Sequence, residues 1–188
     1  MNFRYNYDVI AVVSKSQSGK TQIIKKLINN VPKEDLLILD SNFEYNDYIN
    51  IYQPIRKFTE ELDKFILQAR TQKNKLIILE DIDLYKPLYS KEFGDLIING
   101  QHQNLGIIWA SRRVLGLEKT LLQNSTYIIM SKDVPVEDKE YISNTFETGD
   151  ARKGIEGFLI DWNMIQNLNE YEFAILDVKN HKLERFYV

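Results

Sequence analysis

The sequence contains no cysteine, which excludes disulfides and thiolate metal sites. Its two histidines, His102 and His181, lie far apart and make a poor metal pair. No apolar run approaches the roughly 20 residues of a membrane-spanning helix. The opening M-N-F-R-Y-N-Y-D is too polar for a signal peptide. The expectation is a soluble, intracellular protein. Neither sign of charge dominates: 24 basic side chains face 27 acidic ones, a net charge of −3. That balance speaks against a general polyanion binder. Contact with nucleic acid would have to be local or assembled from several subunits. Repeats, low-complexity stretches and linkers are also missing, so the 188 residues are expected to form one domain, 1–188.

What the chain does have is short apolar runs alternating with helical patterns. Strands are expected at 9–13, 36–39, 76–79, 105–111 and 126–130. One helix is expected from Lys20, with Ile23, Ile24, Leu27, Ile28 and Val31 on one face. A second follows Thr59 as its cap, with Leu62, Phe65, Ile66 and Ala69 as its stripe. Further helices are expected at 91–100 and 117–123. The strands read as unbroken apolar runs, not as alternating ones, which suits a parallel sheet covered by helices on both faces. Residues 171–178 and 183–188 form a C-terminal β-hairpin pattern. Residues 150–169 fit none of these patterns.

Residues 14–21 read S-K-S-Q-S-G-K-T, between the first strand and the first helix. The phosphate-binding pattern is G-x-x-x-x-G-K-[ST] in that context. Gly19, Lys20 and Thr21 match it, whereas Ser14 stands where the first glycine belongs. That glycine helps the chain leave the strand sharply, and serine is small enough to do so at negative φ. The loop, Ser14, Lys15, Ser16, Gln17, Ser18, Gly19, Lys20, Thr21 and Gln22, is therefore expected to bind ATP. Its backbone N–H groups would hold the phosphates, Lys20 would reach the terminal ones and Thr21 would ligate Mg²⁺. Lys15 is read as a solvated loop residue or a phosphate contact.

Downstream, Lys75-Leu-Ile-Ile-Leu-Glu80-Asp81 is a buried-strand pattern that releases two acids at its C-terminal end. Glu80 is expected near Mg²⁺ and Asp81 as the base that polarises the attacking water. The usual order in ATP-hydrolysing motors is Asp then Glu, so the pair is reversed here. Asp83 is read as a solvated turn carboxylate. Asp40 either orders water near the loop or caps its strand exit without chemistry. Glu44 is read as a solvated loop acid, Trp109 as core, and residues 85–89 as an exposed loop whose aromatic and basic side chains could instead touch DNA.

The order of these features resembles the FtsK/HerA branch of P-loop ATPases, and within it the small genome-packaging ATPases of icosahedral viruses with an internal membrane, archaeal turreted ones included. S-K-S-Q-S-G-K-T-Q-I-I-K-K, L-L-I-L-D-S-N-F-E-Y, L-I-I-L-E-D and N-G-Q-H-Q-N-L-G-I-I-W-A-S-R-R-V-L-G-L carry the likeness, which closes with Y-E-F-A-I-L-D-V-K-N-H-K-L. The resemblance implies a RecA-like α/β core, mainly parallel, with a C-terminal hairpin. It implies a hexameric ring that drives double-stranded DNA through its pore with ATP and Mg²⁺. It also implies capsid or membrane-vertex partners, and a location in the host cytoplasm and the virion. The family's sensor position holds Arg112 here, followed by Arg113. Either arginine could sense the γ-phosphate or act across a subunit boundary. Where the family often has Arg-His, this chain has Gln101-His102, which leaves the trans finger unassigned. Arg56, Arg70 and Arg152 are weaker candidates.

Three functions remain open at this point. The first is a DNA-translocating ATPase, either a viral packaging motor or another motor of the same branch. The second is a non-motor ATP-binding regulator or assembly scaffold, favoured by the reversed acids. The third is a small nucleotide kinase, disfavoured by the absence of an Arg-rich lid.

Overall fold

A computed structural model describes residues 3–54, 58–85, 91–117, 119–146 and 159–187. Eight strands form one sheet: β1 (Val9–Val13), β2 (Leu36–Leu39), β3 (Ile51–Tyr52), β4 (Lys75–Leu79), β5 (Leu105–Ser111), β6 (Tyr127–Met130), β7 (Glu172–Asp177) and β8 (Lys182–Tyr187). Their order across the sheet is β3-β2-β4-β5-β1-β6-β7-β8. The first six run parallel, and the β7–β8 hairpin closes one side antiparallel. The fold is therefore the α/β architecture expected from the sequence, with its hairpin.

The sheet is covered on both faces, which explains why its strands read as unbroken apolar runs. On one face Ile10, Val12, Leu36, Ile38, Leu76, Ile78, Ile108 and Ala110 pack with Ile23, Ile24 and Ile28 of helix α1 (Lys20–Ile28). On the other, Ala11, Val13, Ile77, Leu79, Ile107 and Trp109 pack with α2 (Thr59–Ala69) and α3 (Lys91–Asn99). Helices α4 (Lys119–Gln123), α5 (Val136–Phe146) and α6 (Trp162–Gln166) contribute to that second core through Leu121, Leu122, Ile142, Phe146 and Ile165. Trp109 is buried with its ring edge-on to Phe93, as a core residue.

Several details differ from the sequence reading. Thr59 is the first helical residue of α2, and Phe58 stands at the cap position. Strand β3 and helices α5 and α6 had no sequence-based expectation. The N-terminal segment crosses β5 so closely that a Cβ on Gly106 would lie 1.9 Å from the Tyr5 carbonyl oxygen. Only glycine fits there.

The topology decides what meets at the ligand-binding end of the sheet. Strand β5 lies between β1 and β4, with Val13 in register with Ser111 and Leu79 with Trp109. The loop after β1, the acids after β4 and the arginines after β5 therefore leave the sheet side by side, at the C-terminal edge where such sheets bind ligands.

Candidate nucleotide site

The loop after β1 folds as a compact turn. Gln17 (φ 62°) and Gly19 (φ 88°) adopt left-handed conformations, and α1 begins at Lys20. Gly19 is the residue before the helix, and no side chain caps it. The first N–H groups of α1 are thus free of a side-chain cap at a site suited to anions. Ser14 is fully buried, and its amide continues the ladder to the Ser111 carbonyl at 3.2 Å. Its hydroxyl donates to Ser131 Oγ at 2.5 Å and is bonded to Ser18 Oγ. Ser18 Oγ in turn donates to the Lys15 carbonyl at 2.5 Å. Serine in the glycine position therefore pins the loop internally and to the end of β6.

Lys20 is buried and folded back over this turn, with Nζ 3.3 Å from the Lys15 carbonyl and 3.5 Å from Asp81 Oδ1. Asp81 has left-handed backbone (φ 46°), which ends the run of β4 and turns its carboxylate toward Lys20. Asn42 donates to its other oxygen at 2.9 Å. Lys20, Thr21, Asn42, Glu44, Asp81 and Arg112 line one open cavity of about 600 Å³, together with Ser16, Gln17, Gly19, Gln22 and Leu84. Lys15 is exposed, and its carbonyl is what serves the loop.

Glu80 takes a different place from its neighbour. Strand alternation turns it to the α1 face, where it is 1% exposed and does not line the cavity. The Tyr45 hydroxyl donates to its Oε1 at 2.5 Å. Burial pushes its pKa up to about 7, partly opposed by that hydrogen bond, while the Asp81 charge pushes the same way as burial. Tyr45 itself is raised well above its ordinary value, mainly by burial and then by the Glu80 charge.

Glu44 and Asp83 behave otherwise than the sequence suggested, whereas Asp40 takes the second of its two expected roles, at the strand exit. Glu44 is exposed but not merely solvated, because it accepts the Thr21 hydroxyl at 2.7 Å. Asp40 is buried, accepting from the amides of Glu44 and Tyr45 at 2.9 and 3.1 Å and from Gln53 at 3.2 Å. It builds the turn that presents Glu44, and its oxygens are engaged there. Asp83 is no solvated turn carboxylate. It accepts from the Arg112 amide at 3.0 Å, from Arg112 Nε at 2.9 Å and from Ser111 Oγ at 3.3 Å, and pairs with Arg112 Nη2 at 2.8 Å. This fork holds Arg112 at the cavity.

Arg113 stands apart from the cavity, paired with Asp138 at 2.8 Å and Glu137 at 3.5 Å. Arg70 pairs with Glu92 at 2.8 Å. Arg56 and Arg152 lie outside the described residues, as do residues 86–89 of the loop after the acids. Tyr85, the first residue of that loop, is buried and bonded to Ser41 at 2.7 Å, so it is not an exposed aromatic. Burial raises its pKa to about 12.

The oxygen donors around the cavity suit a hard cation. Among the described residues no cluster of three or more His, Cys, Asp or Glu could hold a metal alone. Mg²⁺ is a hard cation of this kind and takes waters and phosphate oxygens as most of its ligands.

The fold has known counterparts. Over 97% of its length the chain superposes on 98% of the genome packaging NTPase B204 of Sulfolobus turreted icosahedral virus 2 in complex with AMPPCP, with a TM-score of 0.72 at 19% identity. This chain has the fold of a packaging NTPase. The same protein in complex with ATP-gammaS gives 0.73 at 20% identity, covering 98% of both chains. B204 of Sulfolobus turreted icosahedral virus, described as a DNA-packaging ATPase, gives 0.72 at 18% identity over 95% of this chain and 96% of that one. More distant is the N-terminal domain of zonular occludens toxin from Neisseria meningitidis, at 0.51 and 7% identity over 97% and 94% of the two chains. No family profile matches the sequence, and no curated protein matches it. Among the described residues no helix is long and apolar enough to cross a membrane.

Proposed function

We propose that this protein is a Mg²⁺-dependent ATPase that drives double-stranded DNA, as the motor subunit of a viral genome-packaging ring of FtsK/HerA type. The observation that carries the reading is the convergence of Lys20, Thr21, Asp81 and Arg112 on one cavity at an uncapped helix N-terminus. The shared fold with a packaging NTPase supports it. Phosphates of ATP would be held by the loop amides and would draw Lys20 away from Asp81 and the Lys15 carbonyl. Asp81, released from that ion pair, would accept a proton from the water attacking the γ-phosphate. Arg112 uses Nε and Nη2 on Asp83, which leaves Nη1 for charge developing on the transferred phosphoryl group. Mg²⁺ would be held by Thr21, with Glu44 on the cavity wall to order its waters, and it would neutralise phosphate charge; Glu80 would join them only by turning its buried carboxylate from Tyr45 toward the cavity. A hexamer, capsid or vertex partners and a cytoplasmic site of action belong to the same proposal.

A second reading is an ATP-binding scaffold without turnover. It is favoured by the burial of Glu80 under Tyr45 and by the ion pair that occupies Asp81. Phosphate release by wild type, Lys20→Ala, Glu80→Gln and Asp81→Asn separates the two. The motor reading expects turnover that Lys20→Ala abolishes and Asp81→Asn lowers at least about a hundredfold. ATP binding with no turnover in wild type would leave the scaffold.

A further inference from the structure

A second cavity, of about 370 Å³, lies on the other side of the phosphate loop, between the end of β6 and the start of β7. It shares Gln17, Gly19 and Gln22 with the first, so the two meet over the loop. We propose that it receives the purine base of the nucleotide, with Tyr171 as the stacking surface and Asp133 as the acceptor for an exocyclic amine. The inference rests on the nucleotide reading above, and adds which residues hold the adenine and select it.

Two side chains of this cavity have no evident structural role. Tyr171 is 62% exposed and sits at φ 67°, a conformation that bulky residues rarely adopt. Strained backbone of this kind concentrates at ligand sites. The turn is held by Glu172, which is buried and accepts from the Asn169 amide at 2.6 Å. Asp133 is exposed at the opposite wall and makes no ion pair or side-chain hydrogen bond among the described residues.

The wall is tied to the phosphate loop. The Asp133 amide donates to Ser131 Oγ at 3.2 Å, and Ser131 Oγ accepts from Ser14 at 2.5 Å. The serine that replaces the loop's first glycine thus sets the distance between phosphate cradle and base pocket. An adenine N6 amine would donate to the Asp133 carboxylate. Hypoxanthine carries an oxygen acceptor at that position, and two acceptors repel.

The test is calorimetric binding of ATP, inosine triphosphate and inorganic tripolyphosphate, with Mg²⁺, to wild type, Tyr171→Ala, Tyr171→Phe and Asp133→Asn. Wild type is expected to prefer ATP over inosine triphosphate about tenfold. Asp133→Asn, which can accept or donate, brings the two within about twofold. Tyr171→Ala weakens ATP about tenfold and Tyr171→Phe restores it. Tripolyphosphate affinity stays at the wild-type value in all variants, which also shows that they are folded. Equal affinity of wild type for ATP and inosine triphosphate, with Tyr171→Ala unchanged, would overturn the base site and leave the phosphate cradle standing. Failure of wild type to bind either nucleotide or tripolyphosphate would overturn the nucleotide reading itself.

Discussion

Ser14 shows how a departure from a motif can be structural. Its small side chain turns inward and bonds Ser18 and Ser131, a connection that glycine cannot make. Ser14→Gly restores the usual pattern, yet it is expected to lower stability by about 1–2 kcal/mol, from lost hydrogen bonds and added backbone freedom. Thermal denaturation reads this, and an unchanged or raised midpoint would contradict the pinning role. Asp83 is the second such residue. Asp83→Ala would release Arg112 from its fork, lowering turnover at least about tenfold while ATP affinity changes less than about threefold. Steady-state kinetics beside equilibrium binding check the split.

At the scale of elements, β4 delivers two adjacent carboxylates to different surroundings. Glu80 faces the α1 side under Tyr45, and Asp81 turns through a left-handed residue into the cavity. A carboxyl group whose folded pKa of about 7 exceeds its unfolded value near 4.5 holds its proton longer in the folded state. Its effect on stability is flat below pH 4.5, falls as pH rises to 7, and is flat again above. In EDTA, Glu80→Gln should remove that slope and stabilise the protein at pH 8 by on the order of 3 kcal/mol. Denaturant titrations across pH measure it, and parallel pH profiles for both proteins would contradict the assignment.

Strands β1, β2, β4 and β5 were legible because burial on both faces leaves unbroken apolar runs. The loop and the two acids were legible because their residues are contiguous. Helix α5 was not: its buried positions include Asp138 and Thr145, so no apolar stripe marks it. Strand β3, two residues long, has no periodicity to find. Glu44 and Asp83 escaped because their meaning lies in partners 23 and 29 residues away, Thr21 and Arg112. Only the folded sheet brings those pairs together.

At the scale of the whole molecule, the order β2-β4-β5-β1-β6 brings cradle, acids and Arg112 to one edge of the sheet. The net charge of −3 offers a single copy little attraction for DNA, so the proposed ring would have to gather local basic residues around its pore. Mass measurement with ATP and Mg²⁺ is expected to find a hexamer, and a strict monomer at high concentration would contradict the ring. A motor couples ATP turnover to movement of double-stranded DNA. ATP hydrolysis by the wild-type protein, measured with increasing double-stranded DNA, tests this coupling most directly. Turnover is expected to rise several-fold with DNA and to fall back at high salt, and turnover indifferent to DNA at every protein and salt concentration would rule out the motor.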